Sequence, residues 1–211
     1  MANRSNRLPW VLAIVIIGAG LTAALWWRSA AFVAEPALTT GAMLSPRREL
    51  PDFNLIDHQG RAFAPANLRG AWSLLFFGYT NCPDVCPATL ATLATVEKRL
   101  HAAGDKVRPR VVFISVDAGR DTPAQLARYV PYFDPEFVGA TAKDQRAIES
   151  VARDFGVVVL LTPRKDGTYS VDHSSAIFVV DPVGKIAAIL TGPFAPDTLQ
   201  DDFRRIVASA S

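Results

Sequence analysis

The sequence predicts an α/β domain, a mixed sheet flanked by helices with an N-terminal hairpin, preceded by a single apolar helix. Three observations predict it. Trp72–Gly78 and Arg110–Val116 are near-continuous apolar runs, the pattern of strands buried on both faces. Segments with helical caps and helical spacing alternate with them. Near the end, Ser175–Val180 and Lys185–Thr191 flank Asp181-Pro-Val-Gly184, a turn signal that makes the last two strands a hairpin.

The apolar N-terminal helix comes first in the chain. Leu8 to Trp27 is a run of 20 residues without a charge. At about 1.5 Å per residue it spans about 30 Å, one hydrocarbon thickness. Trp10 stands at one end, Trp26 and Trp27 at the other, where an aromatic belt would lie. Arg4 and Arg7 precede the run and only Arg28 follows closely. The positive-inside rule then makes residues 1–7 a cytoplasmic N-terminus and 8–27 a transmembrane anchor, with the rest exported. Ser29-Ala30-Ala31 leaves a cleaved signal peptide open, although secretory cores are shorter, about 7–15 residues. No Cys follows the run to carry a lipid. Residues 28–49, with Pro36, Gly41 and Pro46 and no sustained periodicity, read as a tether. Residues 50–211 are then the folded domain, long enough for one core.

Within it, Phe53–Ile56 and Arg61–Phe63 form a hairpin around Asp57-His-Gln-Gly60. After the strand at 72–78, a helix is expected from about Pro87 to Ala103, stopped by Gly104. The strand at 110–116 is followed by a helix opening at Asp121-Thr-Pro, with Asp121 as its cap. Lys143 to Phe155 is helical by spacing: Ile148, Val151, Ala152 and Phe155 share a face, and Gly156 ends it. Val157–Leu161 reads as a strand, and Pro196 to Ala208 as the closing helix. That order of elements fits a thioredoxin-like fold with additions.

Composition excludes several function classes. Half of the residues are apolar and 20% are charged, which is no disordered chain. Two Cys cannot make a disulfide scaffold or an all-cysteine zinc site. The net charge is +2, and it is unevenly held. Residues 1–49 carry five Arg and two Glu, net +3, while residues 50–211 carry 17 Lys and Arg against 18 Asp and Glu, net −1. A slightly acidic domain argues against a nucleic-acid partner.

The chemistry-bearing residues are Cys82, Cys86 and His173. Thr80-Asn-Cys-Pro-Asp-Val-Cys-Pro87 directly follows the first buried strand, and strand C-terminal ends are where open α/β sheets place their sites. Cysteines four apart bring their sulfurs close enough to share an ion or form a disulfide. Helical N–H groups facing the loop favour the thiolate. A disulfide across so few residues constrains little of the unfolded chain, which weakens the case for a mere staple. An ordinary dithiol oxidoreductase has two residues between its cysteines, and here there are three. Two thiolates with an imidazole suit Cu(I) by softness, and Cu(II) also takes S and N donors, whereas zinc would want a fourth ligand. His173, in Val171-Asp-His-Ser-Ser175 just ahead of the late hairpin, is the best third donor. Asp172 either orients the imidazole or lies on the outer face. His58, in a turn, and His101, near a helix end, read as ordinary structural or surface histidines.

These residues resemble the Sco/SenC family of copper chaperones for cytochrome c oxidase, over about residues 51–207. Phe76-Phe-Gly-Tyr-Thr-Asn-Cys-Pro-Asp-Val-Cys-Pro87 is similar to the family's metal loop, Ser115-Val-Asp-Ala-Gly-Arg-Asp-Thr-Pro123 to its second signature, and Asp172-His173 with Asp181-Pro-Val-Gly184 to its histidine strand and hairpin. Ala88 departs from it where an acidic residue is common. The resemblance implies that Cys82, Cys86 and His173 bind one copper ion, as Cu(I) or Cu(II). It further implies a metallochaperone, not an enzyme, that helps metallate the dinuclear copper centre of the oxidase. Its partners would be the oxidase's copper-bearing subunit and another exported copper carrier, on the periplasmic face of a bacterial inner membrane rather than in mitochondria. A membrane-tethered thiol–disulfide oxidoreductase using Cys82 and Cys86 is the alternative. A peroxide-reducing thiol enzyme would want a basic group near the cysteines, and neither Arg nor Lys is near them in sequence. Asp117 and Asp121 are expected to be structural.

Overall fold

A computed structural model describes residues 12–22, 37–165 and 167–210. The chain divides into two compact units, Met1–Pro36 and Ala37–Ser211. In the first, residues 12–22 are helical (α1). Among the described residues no helix is long and apolar enough to cross a membrane. The remaining residues of the expected anchor, 8–11 and 23–27, lie outside the described ones, as do the suggested cleavage site and residues 28–36 of the expected tether.

The second unit is built on an eight-stranded mixed sheet among the described residues, in the order β1-β10-β9-β4-β5-β6-β2-β3. The strands are β1 (Gly41–Glu49), β2 (Leu55–Asp57), β3 (Ala62–Phe63), β4 (Ser73–Gly78), β5 (Arg110–Ser115), β6 (Val138–Thr141), β9 (Ala176–Val180) and β10 (Lys185–Thr191). β7 (Val159–Pro163) and β8 (Tyr169–His173) pair separately as an antiparallel ribbon. The helices are α2 (Val85–Ala102), α3 (Pro123–Tyr129), α4 (Gln145–Phe155) and α5 (Pro196–Ala208). β4, β5 and β6 run parallel, and β9 lies antiparallel to β4.

The central strands are apolar throughout because both faces are covered. Side chains alternate across a strand. Leu74 and Phe76 of β4 therefore pack with Leu90 and Leu93 of α2, Leu126 of α3, and Leu199 and Phe203 of α5. Leu75 and Phe77 point the other way, into a second core with Ile148, Val151 and Phe155 of α4. α4 begins at the Asp144 cap, whose carboxylate accepts from the Ala147 N–H at 2.8 Å, and ends at Gly156 in the left-handed region.

Four expectations need correction. The stretch expected as tether is not all tether: residues 41–49 form edge strand β1 on β10. Only glycine serves at 41, where φ is +142° and a Cβ would stand 2.2 Å from the Ile189 carbonyl oxygen. Pro46 is tolerated because β1 is an edge strand with a register shift between Met43 and Arg48. The Asp202 carboxylate fixes the approach to this strand by accepting from the Thr39 and Thr40 N–H groups and the Thr40 hydroxyl. Second, α2 starts at Val85 rather than Pro87, since a proline in the first turn gives up an N–H that has no intrahelical partner there anyway. Third, Thr122, not Asp121, caps α3, through its hydroxyl to the Gln125 N–H. Fourth, the strand expected at 157–161 begins at Val159 and joins the ribbon rather than the main sheet. β6 had no counterpart in the reading of the sequence.

Candidate metal and thiol site

β4 delivers the chain to the site. Its last residue, Gly78, leaves no room for a side chain: a Cβ would meet Phe113 Cε2 at 2.6 Å and Cys86 Sγ at 3.0 Å. The chain then turns through Tyr79 and Thr80, and the Cys82 N–H donates to the Tyr79 carbonyl at 3.3 Å. α2 opens at once, with no side chain of Asp84 capping it. Instead the Cys86 N–H donates to Cys82 Sγ at 3.5 Å, so a sulfur occupies the position that a capping oxygen usually fills.

Both cysteines are free, Cys82 half-buried and Cys86 fully buried. Burial pushes the Cys82 thiol up, but the backbone N–H groups of Cys86 and Asp84, aided by the Cys86 and Tyr79 side chains, outweigh it and hold the thiol below its ordinary value. Burial pushes the Cys86 thiol well up, and the nearby Cys82 sulfur adds to that. The pair is therefore asymmetric: an accessible thiol that gives up its proton more readily than usual beside a buried one that holds it more tightly.

His173, at the end of β8, puts Nε2 3.8 Å from Cys86 Sγ. Its Nδ1 lies 3.2 Å from the Ser174 carbonyl, which accepts from an Nδ1–H and leaves the Nε2 lone pair facing the sulfur. Burial lowers its pKa, against the opposing effects of that carbonyl and Asp172, so the ring is neutral at neutral pH. Asp172 itself is exposed and acts on the ring only through its charge, which resolves the alternative that the sequence left open. Sulfur at about 2.3 Å and imidazole nitrogen at about 2.0 Å from one ion, at roughly 120°, stand about 3.7 Å apart. The Cys86–His173 contact already has that spacing. Cys82 is turned to the helix N-terminus, and among the described residues no group of three or more His, Cys, Asp or Glu is yet gathered around an ion position.

A polar and aromatic frame surrounds these groups. Asp121, fully buried, accepts from the Thr80 N–H at 2.8 Å, the Thr80 hydroxyl at 2.6 Å and the Ser115 hydroxyl at 2.6 Å. It thereby anchors the loop that carries Cys82. Burial raises its carboxyl, with Asp117 adding to that against the hydrogen bonds from Ser115 and Thr80. Asp117 is ion-paired to Arg120 and accepts from the Tyr169 hydroxyl at 2.6 Å. Arg120 lies 4.0 Å above the Tyr169 ring and 5.9 Å from that of Tyr79. The Tyr79 ring meets His173 edge to face, centroids 5.9 Å apart. Asp117 and Asp121 are structural, as expected, but they brace the site itself. His58 accepts from the Gly139 N–H at 3.0 Å, a structural role, and His101 is exposed in the last turn of α2. Tyr79, Arg120, Tyr169 and Ser174 escaped the sequence reading. Tyr79, Arg120 and Ser174 lie inside the quoted motifs without having been given a role there; for Tyr169 the signal was that it stands four residues before His173 on one strand, hence on one face.

Residues 42–208 match the SCO1/SenC family. The chain is similar to a protein described as "Protein SCO2 homolog, mitochondrial" from Bos taurus, 35% identical over 201 residues, covering 94% of this chain and 75% of that one. It spans less of the mouse and human SCO2 homologues, 62% and 59% of their length. Among solved structures it resembles copper-bound ScoI of Arabidopsis thaliana, with a TM-score of 0.71, 34% identity and coverage of 75% of this chain and 98% of that one. It also resembles BsSco, described as a member of the Sco family of cytochrome c oxidase assembly proteins with a disulfide switch. There the TM-score is 0.63 at 25% identity, covering 81% of this chain and 97% of that one. The mixed α/β, thioredoxin-like architecture expected from the sequence is thus that of solved Sco proteins. With the family match spanning the sheet, both cores and all three candidate donors, this chain belongs to the SCO1/SenC family.

Proposed function

We propose that this protein is a membrane-anchored copper metallochaperone. Cys82, Cys86 and His173 hold one copper ion, as Cu(I) or Cu(II), for delivery to the copper-bearing subunit of cytochrome c oxidase. The observation that carries the reading is the approach of His173 Nε2 to Cys86 Sγ at 3.8 Å, with Cys82 Sγ on the same helix N-terminus. Two sulfurs and a neutral imidazole match the softness of Cu(I) and the mixed preference of Cu(II). The copper-bound ScoI relative and the oxidase-assembly description of BsSco support the metal and the destination. The uncharged run at 8–27 supports a single anchor with the N-terminus in the cytoplasm and the folded unit in the periplasm of a bacterial inner membrane. Another exported copper carrier would load it.

The test is metal titration of the full chain purified in mild detergent. One equivalent each of Cu(I), added anaerobically, and of Cu(II) should saturate it. His173→Ala should weaken Cu(II) about tenfold or more and Cu(I) less, because Cu(II) depends more on nitrogen. Unchanged Cu(II) affinity in that variant would remove His173 from the site.

The asymmetry of the two thiols supports a second reading, reduction of a partner's disulfide. The Cys82 thiolate attacks one sulfur of that disulfide, forming a mixed disulfide and expelling the partner's other sulfur as thiolate. Cys86 then loses its proton, attacks Cys82 Sγ and releases the second partner thiolate. The partner has gained two electrons and Cys82–Cys86 is oxidised. This reading requires that His173→Ala spare the reductase activity while either Cys→Ser change abolishes it.

A further inference from the structure

One residue borders both the cysteine loop and His173 and belongs to none of the functions assigned above. Tyr79 lies between β4 and the cysteine loop and packs against both hydrophobic cores. Its carbonyl accepts from the Cys82 N–H at 3.3 Å. Its ring meets the His173 imidazole at 85°, with centroids 5.9 Å apart. From another side the Arg120 guanidinium lies 5.9 Å from the ring centroid. Arg120 cannot drift away, because it is ion-paired to buried Asp117, and its Nη1 donates to the Tyr169 carbonyl at 3.2 Å. Tyr169 sits on β8, the strand that ends in His173.

We infer that Tyr79 is a positioning residue that fixes the His173 imidazole relative to the cysteine pair, and so sets how well the site holds Cu(II) as against Cu(I). The inference rests on the copper reading above. The cysteines are four apart on one loop and helix start and hold their spacing through that local chain. His173 comes from the β7–β8 ribbon, 87 residues beyond Cys86, and needs a packing partner to stay over the sulfurs. The Tyr79 ring is that partner on the loop side, with Arg120 and Tyr169 closing the contact from the ribbon side. An ion content with two sulfurs is insensitive to this arrangement. An ion that needs the nitrogen is not.

The experiment compares wild type, Tyr79→Phe and Tyr79→Leu in the full chain. It reads Cu(I) and Cu(II) affinity and the energy of the sulfur-to-Cu(II) charge-transfer band. Wild type must first take up one Cu(II) with such a band and lose affinity in His173→Ala; failure there sinks the copper reading itself, whatever Tyr79 does. Given that, Tyr79→Leu should lower Cu(II) affinity about 10-fold or more and leave Cu(I) within about threefold. Tyr79→Phe keeps the ring and should keep Cu(II) affinity within about threefold and leave the band in place; a tenfold loss there would assign the effect to the hydroxyl and overturn the inference. Equal losses of Cu(I) and Cu(II) in Tyr79→Leu would overturn the inference, as would unchanged Cu(II) affinity. Should Tyr79→Leu fail to fold, Tyr79→Met, which fills the space without a ring, decides by the same criteria: a selective Cu(II) loss upholds the role, and an equal loss of both ions or no loss refutes it.

Discussion

Replacing Gly78 with alanine tests how tightly the end of β4 is closed against the site. The backbone there is ordinary, so only space is at issue. The new methyl would stand 2.6 Å from Phe113 Cε2, 3.2 Å from Phe113 Cζ and 3.0 Å from Cys86 Sγ, all nearer than an unstrained contact allows. Phe113 cannot step aside cheaply. It is fully buried, its ring centroid 6.0 Å from that of Phe76 and 5.7 Å from that of Tyr129. Overpacking of a filled core costs typically 1–3 kcal/mol, so about 2 kcal/mol is expected. For a folded unit of this size that lowers Tm by about 4–8 °C. Thermal unfolding followed by near-ultraviolet circular dichroism measures it directly. A Tm within about 1 °C of wild type would mean that β4, Phe113 and Cys86 are less closely packed than described, and the reasoning would fail.

Two further predictions concern titration. Burial pushes the Asp57 carboxyl up, but the Arg61 and Gln59 N–H groups and the Arg61 side chain outweigh this and hold its pKa below the usual carboxylate value. Its stabilising contribution is therefore full above the unfolded pKa and lost as pH falls through the lower folded one. Acid titration monitored by urea melts should show wild type losing more stability than Asp57→Asn between about pH 5 and pH 2; parallel losses would contradict the assignment. At the site, iodoacetamide should alkylate Cys82 about tenfold or more faster than Cys86 at neutral pH, because Cys82 is the more accessible thiol and the one whose pKa is lowered, while that of Cys86 is raised. Peptide mapping that found Cys86 modified first would reverse the roles given to the two sulfurs.

What the sequence revealed tracks how much local chemistry each element carries. β4 and β5 announce themselves because strands covered on both faces must be apolar throughout. α4 is legible from Asp144, its apolar face and Gly156. α5 runs over Pro196–Ala208, as its spacing implies. β6 was invisible: Val138-Gly-Ala-Thr141 has no apolar run, and it is a strand because β5 pairs with it and because Gly139 lets Val130 and Leu126 approach. β1 looked like tether since its Gly41 and Pro46 argue against a strand until the β10 edge is there to receive it. At the site, a C-x3-C spacing is a local signal, and His173 follows from fold position and family resemblance. Tyr79 lies inside the quoted cysteine motif, but its ring partners His173 and Arg120 come from distant segments, as does Asp117, the partner of the Tyr169 hydroxyl. For Tyr169, nothing adjacent in sequence separates a site wall from ordinary core.

The 87-residue separation of Cys86 from His173 has a consequence for the unfolded chain. There the two cysteines remain neighbours, while the imidazole is remote and bringing it in costs loop-closure entropy. A ligand gripped by the sulfurs alone finds its two donors already neighbours in the chain, so folding supplies it with no loop closure. One that also engages His173 needs the β7–β8 ribbon beside the cysteine loop, and it shifts the folding equilibrium by its mass-action factor. On the proposed copper reading, three-donor binding would thus be open only to a chain whose distant segments are already in place.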